Sequence, residues 1–310
     1  MADGAMAPGD HGRAGRRGAL PADACTVGLA LNRLAAILAT GRDPLARAEA
    51  RQEARDIVAA LLDVPRFWPS VNRGVELDGE LWERARRAAA RRVLGAPFAY
   101  AVGRASFRHL TLEVDERVLI PRQETELLVE HALAAGGSGG LAVDVGTGSG
   151  AIALALASEG QFERVIGTDV SLDALVVARR NAARVAPALV APVELRHGSL
   201  LAPVRGERAR LVVSNPPYIT HAEAAHLPPG VRDWEPPLAL FSAGDGMALT
   251  TAIVRDAAEV LVPGGLLALE VDCRRAVLVA ELAMTDGRYR DVSVRLDLTG
   301  RERIVLATRR

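Results

Sequence analysis

The sequence predicts an α/β protein: a mostly parallel sheet with helices on both faces, preceded by a small all-α region and a β-hairpin. Three observations predict it. From Leu141 onward, apolar strand-like runs alternate with helical periods, the pattern of a parallel sheet. Residues 27–95 carry apolar side chains at three- and four-residue steps. Residues 98–120 switch to a period near two.

Taken in chain order, residues 1–20 are rich in Gly, Ala and Arg and offer little to bury, so a disordered tail is expected there. Leu31, Leu34, Ile37 and Leu38 mark a first helix, and Ile57, Leu61 and Leu62 a second. A third spans about 79–94 and carries Arg84, Arg86, Arg87, Arg91 and Arg92, a solvated basic face or a docking surface for an acidic partner. Phe107, Leu110, Leu112 and Val114 form the hairpin, Pro121 ends it, and a helix follows over about 123–135. The α/β part then reads as strand 141–145, helix 151–158, strand 164–168, helix 172–186, strands 192–197 and 210–214, and a long loop over 215–245. Helix 247–261, strand 265–271, helix 274–284 and β segments near 290–296 and 303–308 complete it. The expected domains are a tail (1–20), a helical docking domain (21–97), a hairpin linker (98–120) and a catalytic domain (121–310).

Composition narrows the chemistry. All 38 basic residues among the 310 are Arg, which excludes reactions needing a lysine amine. The formal net charge is zero, with 18 Arg against 15 acidic residues up to position 120 and 20 against 23 beyond it. A strong basic face for duplex nucleic acid is not evident in these sums, so direct nucleic-acid binding is not expected. Two cysteines, Cys25 and Cys273, and six scattered histidines make neither a disulfide framework nor a metal site. Residues 1–20 lack the apolar stretch of a secretory signal, and no run approaches the length of a membrane span; a cytoplasmic location is expected.

In open α/β sheets ligands bind beyond the carboxyl ends of the strands. Gly146-Thr147-Gly148-Ser149-Gly150 follows the strand ending at Val145 and opens a helix, so the backbone can approach a ligand closely. Asp169 ends the next strand, where a carboxylate can hold ribose hydroxyls. The pair points to an adenosine-containing cofactor. Gly146, Gly148 and Ala151 also satisfy a dinucleotide fingerprint, so NAD remains a rival on the loop alone. Asp144, placed to serve a cationic amino-acid end, and the close-set glycines favour S-adenosyl-L-methionine.

Asn215-Pro216-Pro217-Tyr218 follows the strand ending at Ser214, at the same sheet edge. A planar amide or amine nitrogen is a poor nucleophile and must be held in line. The Asn215 side-chain oxygen and the Pro216 carbonyl can each accept one hydrogen of a target NH2 group, which fixes it and stabilises positive charge as it grows. Prolines stiffen the loop, and Tyr218 can stack on a planar group. The tetrad specifies the nitrogen but leaves adenine, guanine and glutamine open as its bearer.

The chain resembles the HemK/PrmC protein-(glutamine-N5) methyltransferases over about residues 27–310. Beside the two motifs, Gly95–Gly103, Val118–Arg122 with Thr125 and Glu126, Glu235-Pro236, Gly244-Asp245-Gly246 and Leu298–Arg303 are similar to that family's segments. The resemblance implies a Rossmann-like class I methyltransferase with a seven-stranded sheet, acting on the Gln of the Gly-Gly-Gln motif in class 1 peptide chain release factors. It assigns Gly146, Thr147, Gly148, Ser149, Gly150, Asp169, Ser199, Leu200 and Asn215 to S-adenosyl-L-methionine, and Asn215, Pro216, Pro217 and Tyr218 to the glutamine. Asn215 and Tyr218 are the expected catalytic residues, no metal is expected, and the helical front would dock the release factor. Three segments depart from the family pattern: Gln123 stands in place of Pro, Ser199-Leu200 in place of an acid after Gly198, and Asp272–Arg275 in place of a Gly-x-x-Gln segment. An adenine-N6 nucleic-acid methyltransferase, or a cofactor-binding homologue with impaired catalysis, are the alternatives.

Overall fold

The computed structural model describes residues 25–40 and 47–310; the expected tail at 1–20 lies outside them. The chain divides into two compact units between Arg87 and Ala88. The first contains β1 (Cys25–Thr26), α1 (Val27–Leu38), α2 (Arg47–Leu62), α3 (Trp68–Val71) and β2 (Glu76–Leu77). Thr26 caps α1 by accepting the Leu29 N–H, as a β-branched hydroxyl at that position should. The antiparallel β1–β2 pair was not expected, because two residues per strand are too few to show a period. Helix α4 (Gly79–Val93) runs through the division.

The second unit opens with α5 (Phe98–Val102) and the hairpin β3 (Arg104–Phe107) and β4 (Leu110–Glu113). The expected hairpin over 98–120 is thus shorter. Pro97 and a left-handed Gly103 bracket one turn of helix at its start. The alternation was correctly placed: Phe107, Leu110, Leu112 and Val114 are all buried. At the hairpin tip Arg108 is bonded to both carboxylate oxygens of Glu159.

Next come α6 (Gln123–Gly136), β5 (Leu141–Val145), α7 (Ala151–Glu159), β6 (Arg164–Asp169), α8 (Leu172–Val185), β7 (Val193–His197) and β8 (Ala209–Ser214). The stretch expected as a long loop holds a 3-10 turn at His221–His226 and two four-residue helices, α9 (Pro229–Arg232) and α10 (Pro237–Leu240), both with Pro at the first position. Such single turns are below what periodicity reveals, but Pro at N1 is their local signal. The chain ends with α11 (Ala248–Val260), β9 (Leu261–Glu270), α12 (Ala276–Asp286), β10 (Tyr289–Leu296) and β11 (Glu302–Arg309).

The seven-stranded sheet has the order β10-β11-β9-β8-β5-β6-β7. Strands β5 to β9 are parallel, and β10 and β11 join antiparallel. Side chains alternate between its faces: Leu211, Val213, Leu266 and Ala268 pack with α6 and α7, while Val212, Leu267 and Leu269 pack with α11 and α12. This alternation, with helices on both sides, is what makes the strands continuously apolar in sequence. The strand order reverses at β5, so the crevice beyond β5 and β8 is the place for a ligand.

Candidate active site

Both motifs lie at that crevice, the glycine loop after β5 and the tetrad after β8. Gly146 and Gly148 have φ of +75° and +55°, and a side chain on either would meet no atom within 4 Å. Their glycine character therefore serves conformation and an open approach to the backbone. The Asp169 carboxylate accepts the Gly148 N–H at 2.8 Å and the Ser171 N–H at 2.8 Å. Burial pushes its pKa up while those N–H groups pull it down.

A cavity of about 330 Å³ opens here, within the size range of small-molecule sites. Gly146, Gly148, Asp169, Ser199, Leu200 and Asn215 line it, with apolar walls from Val170, Leu238 and Leu249. Thr147, Ser149 and Gly150 do not line it. Thr147 and Ser149 are buried; the Thr147 hydroxyl donates to Asp144 at 2.6 Å, and the Ser149 carbonyl accepts from Asn181 Nδ2 at 2.9 Å. Asp144, expected at a cationic cofactor end, is 0% exposed. Its Oδ2 also accepts the Ala153 N–H, so it braces the loop and the start of α7 from beneath. Burial pushes Asp144 up to about 7.

A second cavity, of about 280 Å³, is lined by Arg122, Asn215, Pro216, Pro217, Tyr218, Leu227 and Val231 among others. Asn215 and Pro217 line both cavities. The half-buried Asn215 donates from Nδ2 to Thr125 Oγ1 at 3.0 Å, and Thr125 donates to Glu270 Oε2 at 2.6 Å. Burial, then the nearby Glu270 charge, pushes the Tyr218 phenol up to about 12. Tyr218 is therefore neutral at physiological pH and offers its ring and O–H, not a base.

The departing segments have structural accounts. Gln123 is exposed at the first position of α6, a position that suits Pro and tolerates other residues. Leu200 adopts a left-handed φ of +49°, with its carbonyl accepting from Thr168 at 2.8 Å. Asp272–Arg275 hold the loop after the tetrad: Arg274 pairs with Glu223 at 2.5 Å and Asp272 at 2.8 Å, and Arg275 Nε donates to the Asp245 carbonyl at 2.8 Å. Gly246, at φ +86°, sits so that a Cβ would lie 2.5 Å from the Tyr218 carbonyl, so no larger residue fits without moving the tetrad.

Several functional contacts were not foreseen. Arg122 donates to the buried Glu235 at 2.6 Å, joining the start of α6 to the loop beside α10. Asn181, 0% exposed on α8, bonds to the backbone of Glu113 in β4 as well as to Ser149. A lone Asn in step with the apolar face of Ala174, Val177 and Ala178 was the available signal. The basic run on α4 is divided: Arg84, Arg86 and Arg87 are exposed, whereas Arg91 pairs with Glu116 and lies over Trp234.

A parallel sheet with a glycine loop and a strand-end acid, Asp169, lining one cavity, and an Asn-Pro-Pro-Tyr tetrad beside it, define an S-adenosylmethionine-dependent methyltransferase of class I fold. The methyltransferase small domain family matches residues 122–227, and the PrmC N-terminal domain family matches residues 36–103. A release factor glutamine methyltransferase from Moorella thermoacetica is 43% identical over 75% of this chain and 80% of its own length. Another from Cereibacter sphaeroides is 40% identical over 84% of this chain and 91% of its own. A methyltransferase crystal structure from Pyrococcus furiosus superposes with TM-score 0.50 at 18% identity, over 66% of this chain and 90% of that one, a likeness of fold alone. The chain belongs to the release factor glutamine methyltransferase family.

Proposed function

We propose that this protein transfers a methyl group to the side-chain N5 of the glutamine in the Gly-Gly-Gln motif of class 1 peptide chain release factors. The observation that carries the reading is Asn215 in the wall shared by two cavities, one lined by the glycine loop and Asp169, the other by the rest of the tetrad. Family membership supplies the amide nitrogen as the acceptor.

S-adenosyl-L-methionine, when bound, supplies an electrophilic methyl group on a sulfonium. The cavity fits it: Asp169 offers a carboxylate for ribose hydroxyls, Gly146 and Gly148 offer open backbone, Ser199 and Leu200 add to the lining, and Val170, Leu238 and Leu249 are apolar walls for a purine ring. Thr147, Ser149 and Gly150 keep that loop in shape. On the other side Asn215 Oδ1 and the Pro216 carbonyl accept the two hydrogens of the target amide and hold the nitrogen in line. As its lone pair forms the new C–N bond, the S–CH3 bond would break with its electron pair left on the sulfur of the departing thioether, and these acceptors stabilise the positive charge growing on nitrogen. The nitrogen then gives up one proton to water, so no general base is required. Pro216 and Pro217 keep the acceptors from drifting, and the neutral Tyr218 covers the planar amide.

The helical region 21–97 is assigned to docking the release factor, residues 98–120 to the linker and 121–310 to catalysis. A partner that works in translation assigns the reaction to the cytoplasm. The test is incubation of the protein with methyl-labelled cofactor and either a class 1 release factor or DNA. Label on the Gly-Gly-Gln peptide, located by mass spectrometry, supports the reading. Label in DNA alone, or cofactor binding with no transfer to any release factor, overturns it.

A further inference from the structure

Asn215 can only act as an acceptor if its amide is turned the right way. Flipped, it would present an NH2 group to a nitrogen that also carries two hydrogens, and neither could accept. The structure contains a device that decides the orientation. Thr125 Oγ1 lies 2.6 Å from Glu270 Oε2 and 3.0 Å from Asn215 Nδ2. A hydroxyl has one hydrogen to give. With that hydrogen on the carboxylate, the Thr125 oxygen can only accept from Asn215. The amide must then give it the NH2 end, leaving Oδ1 for the target.

We propose that Glu270 and Thr125 are positioning residues of the methyl transfer, which together lock the Asn215 amide with its oxygen toward the nitrogen being methylated. The inference rests on the reading of Asn215 given above. Neither residue lines either cavity, and they are 2% and 5% exposed, so both act through Asn215 and not on the substrate. With Asn215 they bring together three separate places in the fold: Thr125 on α6, Glu270 at the end of β9, and Asn215 after β8. Burying a carboxylate costs stability, which its hydrogen bond from Thr125 and the nearby Arg303 charge offset only in part. Fixing an amide that must not flip during turnover is a functional reason for a carboxylate to stand there.

Charged and titratable groups face Glu270 from each element around it: Arg303 on β11, Arg122 and Glu124 at the start of α6, and Tyr218 after β8. Burial, against the pull of Thr125 and Arg303, pushes Glu270 up to about 7. When it takes up a proton, its carboxyl can give as well as accept, and the Thr125 hydrogen is no longer committed.

The test is steady-state kinetics of the full chain with S-adenosyl-L-methionine and a class 1 release factor, for the wild type and for Thr125→Val, Thr125→Ser and Glu270→Gln. Cofactor affinity is measured alongside by calorimetry. Thr125→Val, isosteric but unable to bond, should lower kcat by about tenfold or more with KM and cofactor Kd nearly unchanged, because the loss is one of alignment. Thr125→Ser keeps the hydroxyl and should restore most of the rate. Glu270→Gln can donate or accept, so it should lower kcat less than Thr125→Val and abolish the fall in kcat toward acid pH. Wild-type kcat in Thr125→Val, or an equal loss in Thr125→Ser, overturns the inference. Should Thr125→Val fail to bind cofactor, Glu270→Gln decides, and an unchanged rate and pH profile there refutes it. A wild type that labels no release factor withdraws the reading of the site, and this inference with it.

Discussion

Removing the guanidinium of Arg122 strands a carboxylate in the protein interior. The Glu235 side chain is 1% exposed, and its Oε1 accepts from Arg122 Nη2 at 2.6 Å. Burial already pushes Glu235 up; the Arg122 charge is the leading influence in the other direction. Taking one partner from a buried pair costs about 3–5 kcal/mol when the remaining charge must stay. Here Arg122 is one-third exposed, which screens the pair, and Glu235 can escape by taking a proton, so about 2–3 kcal/mol is expected for Arg122→Ala near pH 8. The sign with pH follows. A carboxyl whose folded pKa is raised binds its proton more readily folded than unfolded, so stability falls as pH rises from the unfolded value, about 4.3 for Glu. The penalty should therefore be smaller at pH 5 than at pH 8, because the raised Glu235 carboxyl is more readily protonated there. Urea denaturation followed by circular dichroism at pH 5 and 8 measures it, and the double variant with Glu235→Gln should recover more than half of the loss at pH 8. A cost below about 0.5 kcal/mol at both pH values, the level of an ordinary surface change, would show that Glu235 does not depend on Arg122, as would a larger cost at pH 5. Arg122 also lines the second cavity, so KM for the release factor should rise in the same variant.

Asn215→Ala should lower kcat by about 100-fold or more, the usual effect of deleting one transition-state hydrogen bond, while cofactor Kd stays within a few-fold. Single-turnover rates check it. Asp169→Ala should weaken cofactor binding by more than tenfold, measured by calorimetry, because it removes the carboxylate proposed to hold the ribose and frees the Gly148 N–H. Asp144→Asn should flatten the pH dependence of stability in the cofactor-free protein. Asp144 is raised to about 7 by burial, so the wild type loses stability as pH rises from about 4 to about 7. The variant has no proton to lose, and its stability relative to wild type should grow across that window in paired urea titrations.

Local demands made much of this protein legible. Glycines that turn the chain after a strand, an acid at a strand end and alternating apolar runs each answer to neighbours in sequence. From them the order of sheet and helices, the cofactor loop at Gly146–Gly150, Asp169 and the Asn215–Tyr218 tetrad could be placed at one sheet edge before any coordinates. What tertiary structure decided is which of those residues face the cavities and what holds them there. Thr147 and Ser149 belong to the cofactor loop in sequence, yet their side chains are buried and bond or pack within the protein. Asp144 looks like a partner for a cation but is enclosed. Contacts around the tetrad join residues 90, 113 and 145 positions apart: Thr125 to Asn215, Arg122 to Glu235 and Thr125 to Glu270. No periodicity or motif spans such distances. A hydrogen bond is directional and short, so its partners exist only once the sheet has brought the ends of β8 and β9 and the start of α6 together.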